Sequence, residues 1–218
     1  MNWVSEHISD ILAYTGAHLL LSLLPVVIGL VISIPLGWVA NRWRVARAIL
    51  VPAAGLLYTI PSLVLLVVLP AILSTQILDP LNVIVALTLY TVALLVRVVA
   101  DSLAAVPPPV IAAANAMGYR PFRRFVGVEL PLAVPVLIAG LRVATVSNIS
   151  LVSVAGLIGV KQLGYLFPDG YSLENYPEII TGLVLIILLA LLFDGAWLLA
   201  GRRLTPWTRA GSTVEVAK

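Results

Sequence analysis

Five long, mostly uncharged runs dominate this sequence, and they limit its fold more than any other feature. They are residues 19–40, 48–78, 82–104, 131–160 and 178–200. Each run is long enough to cross a hydrocarbon layer ~30 Å thick as a helix. Only 11% of the residues are charged, whereas about 25% are charged in ordinary soluble domains. The sequence therefore predicts an all-α integral membrane protein with five transmembrane helices.

The positive residues predict how these helices are oriented. With five spans, residues 42–47, 120–124 and 202–218 share one side of the membrane, and they hold ten of the thirteen Lys and Arg residues. Lys and Arg are enriched in cytoplasmic loops, so the N-terminus is expected outside and the C-terminus inside. The predicted parts are an extracytoplasmic segment 1–18, a transmembrane domain 19–200 that includes a cytoplasmic loop 105–130, and a cytoplasmic tail 201–218.

The loop at residues 105–130 has the composition of two short helices. Three prolines at 107–109 end the preceding span, and the alanine-rich residues 110–117 favour a helix. Gly118 suits the end of that helix, and Pro121 suits the first turn of the next one. From these residues alone, two interpretations stay open. The loop lies on the membrane surface as an amphipathic segment, or it docks into a groove on a partner protein.

The spacing in this loop resembles the EAA motif of permease subunits of bacterial ABC importers. That motif reads Glu-Ala-Ala, three residues, Gly, nine residues, Ile, one residue, Leu-Pro. The matching residues here are Ala112, Ala113, Ala114, Gly118, Val128, Leu130 and Pro131. The resemblance implies that the loop couples the chain to a separate ATPase. Ala112 lacks the carboxylate of the motif, so coupling is expected to use shape and Arg120, Arg123 or Arg124.

Three further stretches resemble permeases for glycine betaine, choline and related osmoprotectants. They are residues 58–73, 118–146 and 157–167, and the similarity extends over most of residues 17–200. It implies the MetI-like type I ABC importer permease fold, in a multi-pass protein of the bacterial cell membrane. It also implies transport of quaternary ammonium compatible solutes: glycine betaine, choline, carnitine or proline betaine. Permeases for D-methionine or other amino acids have similar length and topology and are the alternative.

The same resemblance implies the partners. They are ABC ATPase subunits, an extracytoplasmic solute-binding protein, a second permease chain (identical or similar) and membrane lipid, but no nucleic acid. The sequence contains no G-x-x-x-x-G-K-[ST] phosphate loop, so the chain is expected not to be an enzyme by itself. ATP and Mg²⁺ are expected on the partner ATPase, with no cofactor on this chain.

Two other function classes were weighed against a permease. Secondary transporters and channels driven by an ion gradient often have two related halves, and no such repeat is visible here. A membrane-embedded enzyme would need a catalytic or metal constellation. The chain has no cysteine, and His7 and His18 accompany no clustered carboxylate motif, so no catalytic or metal site is predicted.

Four aromatic residues are candidates for the pathway or a gate, because aromatic rings bind quaternary ammonium groups. Tyr58 and Tyr90 lie in predicted spans, and Tyr165 and Phe167 lie in the predicted outer loop 161–177. For Tyr58 and Tyr90, packing or interfacial anchoring is the favoured interpretation. The loop itself is interpreted as a gate or a platform for the binding protein, or as a short aromatic-anchored connection.

Four charged residues within the runs are predicted to be structural. Arg97 and Asp101 are spaced to meet on one helix face, and Asp194 lies near the end of the fifth run. All three lie near the predicted inner boundary, so solvation by water is the alternative for them. Arg142 lies eleven residues into the fourth run, where a cation would oppose the passage of a cationic solute. We therefore expect Arg142 to bind carbonyls or a carboxylate between helices.

Single cysteines test the predicted topology, because the natural chain has none. Ser74→Cys and Ser172→Cys should react with a membrane-impermeant thiol reagent added to intact cells. Ser212→Cys should react only after the cells are opened. Labelling of Ser212→Cys from outside would contradict the orientation.

Overall fold

The computed structural model describes residues 2–207, and every regular element in that range is helical. The α-helices are Asn2–Glu6 (α1), Ile8–Arg42 (α2), Arg44–Tyr58 (α3), Ser62–Leu73 (α4), Pro80–Ala104 (α5), Pro108–Ala116 (α6), Pro121–Arg124 (α7), Leu130–Val152 (α8), Leu166–Ser172 (α9) and Tyr176–Leu204 (α10). A π-helical turn, Phe125–Glu129, joins α7 to α8, and 3₁₀ turns occupy Ser153–Ile158 and Leu163–Tyr165.

The number of spans agrees with the sequence prediction when one broken span is included. Among residues 2–207, four helical stretches are long and apolar enough to cross a membrane: Ile8–Arg42, Pro80–Ala104, Pro121–Ile158 and Tyr176–Leu204. Helices α3 and α4 together meet the same test, but they are bent by 102° relative to each other. The all-α membrane fold is therefore confirmed, with four spans, or five when the bent pair α3–α4 is counted as one broken span.

Pro61 explains the break between α3 and α4. It is the N-cap of α4, and a proline disfavours helical geometry in the residue before it. The carbonyl of Ile60 accepts a hydrogen bond from the hydroxyl of Tyr90 on α5. A backbone group released by the bend thus finds a partner inside the protein, as it must in lipid.

The α-helix of the fourth span ends before the apolar run that predicted it ends. Helix α8 ends at Val152, eight residues before the expected end, and the chain tightens into a 3₁₀ turn. A Cβ on Gly156 would lie 2.4 Å from the backbone of Gly164, so the two 3₁₀ turns are in direct backbone contact. The chain therefore folds back on itself after α8. In the turn after α8, Ala155, Gly156 and Val160 are buried, whereas Leu157 is 61% exposed.

Helix α2 begins before the predicted first span. Its 35 residues correspond to about 52 Å, more than the hydrocarbon thickness requires. Residues 8–18 are thus continuous with the spanning helix. The placement of residues 1–18 outside and 201–218 inside stays a prediction. Arg209, Ser212 and Lys218 lie outside the described residues.

Helix α5 is the centre of the bundle, with α2, α3, α4 and α8 packed around it. Glycines allow two of these neighbours to approach closely. A Cβ on Gly29 of α2 would lie 2.4 Å from Cγ2 of Thr91, and one on Gly140 of α8 would lie 2.5 Å from Cγ1 of Val98. Small residues of this kind let membrane helices pack by van der Waals contact.

Buried polar side chains link the same helices. Asn148 of α8 donates to Thr91 Oγ1 of α5 at 2.9 Å and to the carbonyl of Ser22 on α2 at 3.3 Å. His18 of α2 lies 2.8 Å from Oε1 of Gln162 and 3.0 Å from the carbonyl of Ile149. These bonds join α2, α5, α8 and the fold-back segment at fixed positions.

Glycine substitutions on α2 test this packing. Gly29→Ala should lower the free energy of unfolding in detergent by ~1–3 kcal/mol, because Thr91 is held by two hydrogen bonds and cannot move aside. Gly16→Ala is the matched control, since nothing lies within 4 Å of its added Cβ. It should be neutral or slightly stabilising. Equal thermal midpoints for the two variants would contradict close α2–α5 packing.

Candidate functional site

The loop between α5 and α8 contains two short helices that meet at a glycine turn. Gly118 has a φ of +81°, in the left-handed region that favours glycine. Its N–H donates to the carbonyl of Asn115 at 3.0 Å, and the N–H of Tyr119 donates to that of Ala114 at 3.1 Å. These bonds end α6 and turn the chain into α7. The structure thus has the helix–turn–helix loop that the sequence predicted.

The exposed surface of this loop includes only two of its three motif alanines. Ala112 and Ala113 are exposed, but Ala114 is only 1% exposed and packs inward. The exposed surface continues over Met117 and Phe122, which are 69% and 71% exposed. We call Ala112, Ala113, Met117 and Phe122 the apolar knob.

The three arginines of the loop do not share one role. Arg120 and Arg123 are exposed, and the guanidinium of Arg123 lies 5.5 Å from the centroid of the Tyr119 ring. The side chain of Arg124 is only 14% exposed and is bonded within the loop to Glu129. Arg120 and Arg123 are therefore accessible to a partner protein, whereas Arg124 is bonded inside the loop.

The last three motif residues attach the loop to the bundle. Val128 lies half-buried in the π-helical turn, and Leu130 and Pro131 begin α8. Leu130 packs against the apolar cluster that contains Val99 of α5. The motif thus has an exposed half and a half anchored in the transmembrane helices.

Arg142 forms a bidentate ion pair between α8 and α10. Its Nε donates to Oδ1 of Asp194 at 2.8 Å, and its second terminal nitrogen donates to Oδ2 at 2.7 Å. Such paired bonds are strong and fix the geometry of both side chains. The structure therefore places Arg142 on a carboxylate between helices. The indole N–H of Trp197 donates to Thr145 Oγ1 at 2.9 Å and adds a second link between the two helices.

Asp101 has a partner that sequence spacing did not reveal. Arg97 Nε lies 3.6 Å from Asp101 Oδ2, as the predicted pairing on one helix requires. The carboxylate is bonded more directly to Arg47 of α3, which lies 54 positions earlier. Arg47 also donates to the carbonyl of Ala100 at 3.4 Å. Asp101 thus joins α3 to α5.

The four candidate pathway aromatics lie in two separate regions of the structure. Tyr58 and Tyr90 lie edge to face with ring centroids 5.7 Å apart, beside the bend between α3 and α4. Tyr165 faces Tyr14 at 6.0 Å, and Phe167 packs into the apolar cluster around α9 and α10. The structure therefore does not bring the four rings into one cage. Among the described residues, no group of three His, Asp or Glu side chains could hold a metal ion.

These features define a class of protein: a multi-pass helical membrane protein that presents a short two-helix loop beside its spans. The family described as "Binding-protein-dependent transport system inner membrane component" matches residues 21–206. The chain belongs to this family. It is accordingly an inner-membrane permease that works with a substrate-binding protein and an ATPase, and such permeases are not themselves enzymes.

Relatives and solved structures agree with this assignment. The osmoprotectant import permease protein OsmW of Salmonella typhimurium is 31% identical over 201 residues, which cover 91% of this chain and 93% of the relative. The choline transport system permease protein OpuBB of Bacillus subtilis is 30% identical, over 90% of this chain and 89% of the relative. A chain of the methionine ABC transporter MetNI superposes with a TM-score of 0.80 at 25% identity, over 91% of this chain and 97% of that chain.

Substitution of Arg142 tests the structural role of its ion pair. Arg142→Met should lower the thermal midpoint and the amount of chain in the membrane, because Asp194 is left without its countercharge. The double variant Arg142→Met/Asp194→Leu should recover most of the loss. Val143→Met, at an exposed neighbouring position, serves as the control. Equal losses in the single and double variants would contradict pairing.

Proposed function

We propose that this chain forms the membrane path of an ATP-driven importer for quaternary ammonium compatible solutes, such as glycine betaine, choline, carnitine or proline betaine. The carrying observation is similarity over about nine-tenths of the chain to permeases named for osmoprotectant and choline transport. A permease named for glycine betaine, carnitine and choline is 28% identical over 94% of both chains. The solute would reach the chain on an extracytoplasmic binding protein.

The loop at residues 105–130 is the proposed docking site for the ATPase. Its apolar knob projects from the bundle, and Arg120 and Arg123 add two exposed positive charges. The only carboxylate in the loop, Glu129, is buried. The exposed surface is therefore apolar and cationic, and it suits an apolar groove with acidic residues at its edge. ATP and Mg²⁺ would be held by that partner.

A second permease chain completes the proposed transport path. The apolar face of α10 is hardly buried in a single chain, and α3 and α4 expose many large apolar side chains. These surfaces are available to lipid and to a second permease, identical or similar. Two such chains would present two loops and dock two ATPase domains about one axis. Closure of the ATPases would then shift the spans between inward-open and outward-open populations.

Methionine or another amino acid is the second candidate substrate. The observation that favours it is the close superposition on a chain of a methionine transporter. We rank it below the quaternary ammonium solutes, because permeases named for the latter match the sequence at up to 31% identity over most of the chain.

A transport assay with the complete complex tests this function. The permease, its ATPase and its binding protein are reconstituted in liposomes with ATP inside, and labelled glycine betaine, choline and D-methionine are offered outside. Uptake of betaine or choline should require both ATP and the binding protein. The double variant Gly118→Asp/Ala113→Glu should abolish it, because a charge and a strained Cβ are placed on the exposed loop.

Two results would contradict the proposal in different ways. Uptake driven by an ion gradient in the absence of ATP would overturn the mechanism. Uptake of D-methionine alone would leave the mechanism intact and overturn the substrate.

A further inference from the structure

The guanidinium of Arg124 joins both ends of the loop. Its Nε donates to Oε1 of Glu129 at 2.5 Å, and a terminal nitrogen donates to Oδ1 of Asn115 at 2.6 Å. Asn115 lies in α6, and Glu129 directly precedes α8. The side chains of Arg124 and Glu129 are 14% and 4% exposed. We call these three residues the Arg124 clasp.

The clasp depends on the π-helical turn between α7 and α8. Arg124 and Glu129 are five positions apart, which on an α-helix places two side chains about 140° apart around the axis. A π-helix instead bonds residues five positions apart, and the N–H of Leu130 donates to the carbonyl of Phe125 in this way. The ion pair and the π-helical turn therefore support each other. Such turns are rare and occur frequently at functional sites.

The inner end of the clasp is fixed to the transmembrane bundle. Phe125 and Leu130, which flank the turn, pack with Val99 and Leu103 of α5 and with Leu137 of α8. Glu129 is enclosed at this junction. Asn115 and Arg124 therefore connect α6 to the base of α8 through side-chain hydrogen bonds.

We propose that Arg124 is a positioning residue for coupling, which makes α6, the π-helical turn and α8 move as one body. The proposal rests on the proposed function, since it assumes that the ATPase pushes on this loop. Arg124 itself does not contact the ATPase. Its countercharge comes from Glu129, the only carboxylate in the loop. Arg120 and Arg123 are exposed and remain available to the partner surface. Loss of either clasp charge leaves the other buried and uncompensated.

The main test measures solute taken up per ATP hydrolysed by the complete complex in liposomes. Arg124→Gln and Glu129→Gln should still copurify with the ATPase and hydrolyse ATP, but the ratio should fall by about fivefold or more. The swapped double variant Arg124→Glu/Glu129→Arg should restore a large part of it. Arg44→Gln, an exposed arginine outside the loop, is the control and should keep the normal ratio. A normal ratio in both single variants, or a swap no better than either, would overturn the proposal.

Hydrogen exchange on the purified full-length chain gives a second readout that needs no transport. In the single variants, the amide hydrogens of residues 108–120 should exchange faster than in the natural chain, whereas those of residues 80–104 should exchange at the natural rate. The swapped double variant should restore the natural rate in residues 108–120. Unchanged exchange in residues 108–120 would overturn the clasp. Faster exchange with a normal transport ratio would show a merely structural contact and overturn the positioning role. If hydrogen exchange in the variants changes as expected but the natural complex shows no ATP-dependent uptake, the proposed function is overturned and the clasp is not.

Discussion

This structure depends on close contact between its helices. The surrounding lipid provides no hydrophobic force that would bring these helices together. Lipid tails are as apolar as the side chains, so membrane helices associate through van der Waals packing and a few polar bonds. Here the packing centres on α5, where Gly29 meets Thr91 and Gly140 meets Val98. Asn148 then bonds to Thr91 at the same contact. Helix spacing and helix register are thus set together.

The functional loop depends on this centre. Its last residues pack on α5 through Leu130, and its buried glutamate is held by Arg124 across one π-helical turn. The exposed half, with its apolar knob and two exposed arginines, is therefore attached to a rigid support. Rigid support suits the coupling role proposed for this loop, because a flexible connection would absorb the motion of an ATPase before it reached the spans.

Much of this architecture follows from the sequence because membrane spans and helix ends have local causes. Uncharged runs indicate spans, and prolines and Gly118 indicate the helix–turn–helix loop. The second run contains Pro61, but the bend between α3 and α4 was not predicted, because it involves a contact of Ile60 with Tyr90, which lies thirty positions later. The end of α8 at Val152 was missed because the following fold-back is as apolar as a span.

The pairing of charges was predictable only where few partners exist. Glu129 is the only carboxylate near three arginines, so sequence reasoning had the signal for the Arg124 clasp and did not use it. Asp194 and Arg47 are more than fifty positions from their partners, and only the packing of helices brings them together. The four aromatic candidates do not form one cage for the same reason. Residue type alone does not specify which rings come together in the fold.

The most direct test is to identify which protein contacts the apolar knob when the complete complex is present in the cell membrane. A photo-crosslinking residue replaces Phe122 in the loop or, as the control, Tyr171 on α9, which is 80% exposed. After irradiation of membranes that contain the complete complex, the adduct at position 122 should contain the ATPase, and the adduct at position 171 should not. An ATPase adduct at position 171 but not at position 122 would contradict both the docking site and the orientation.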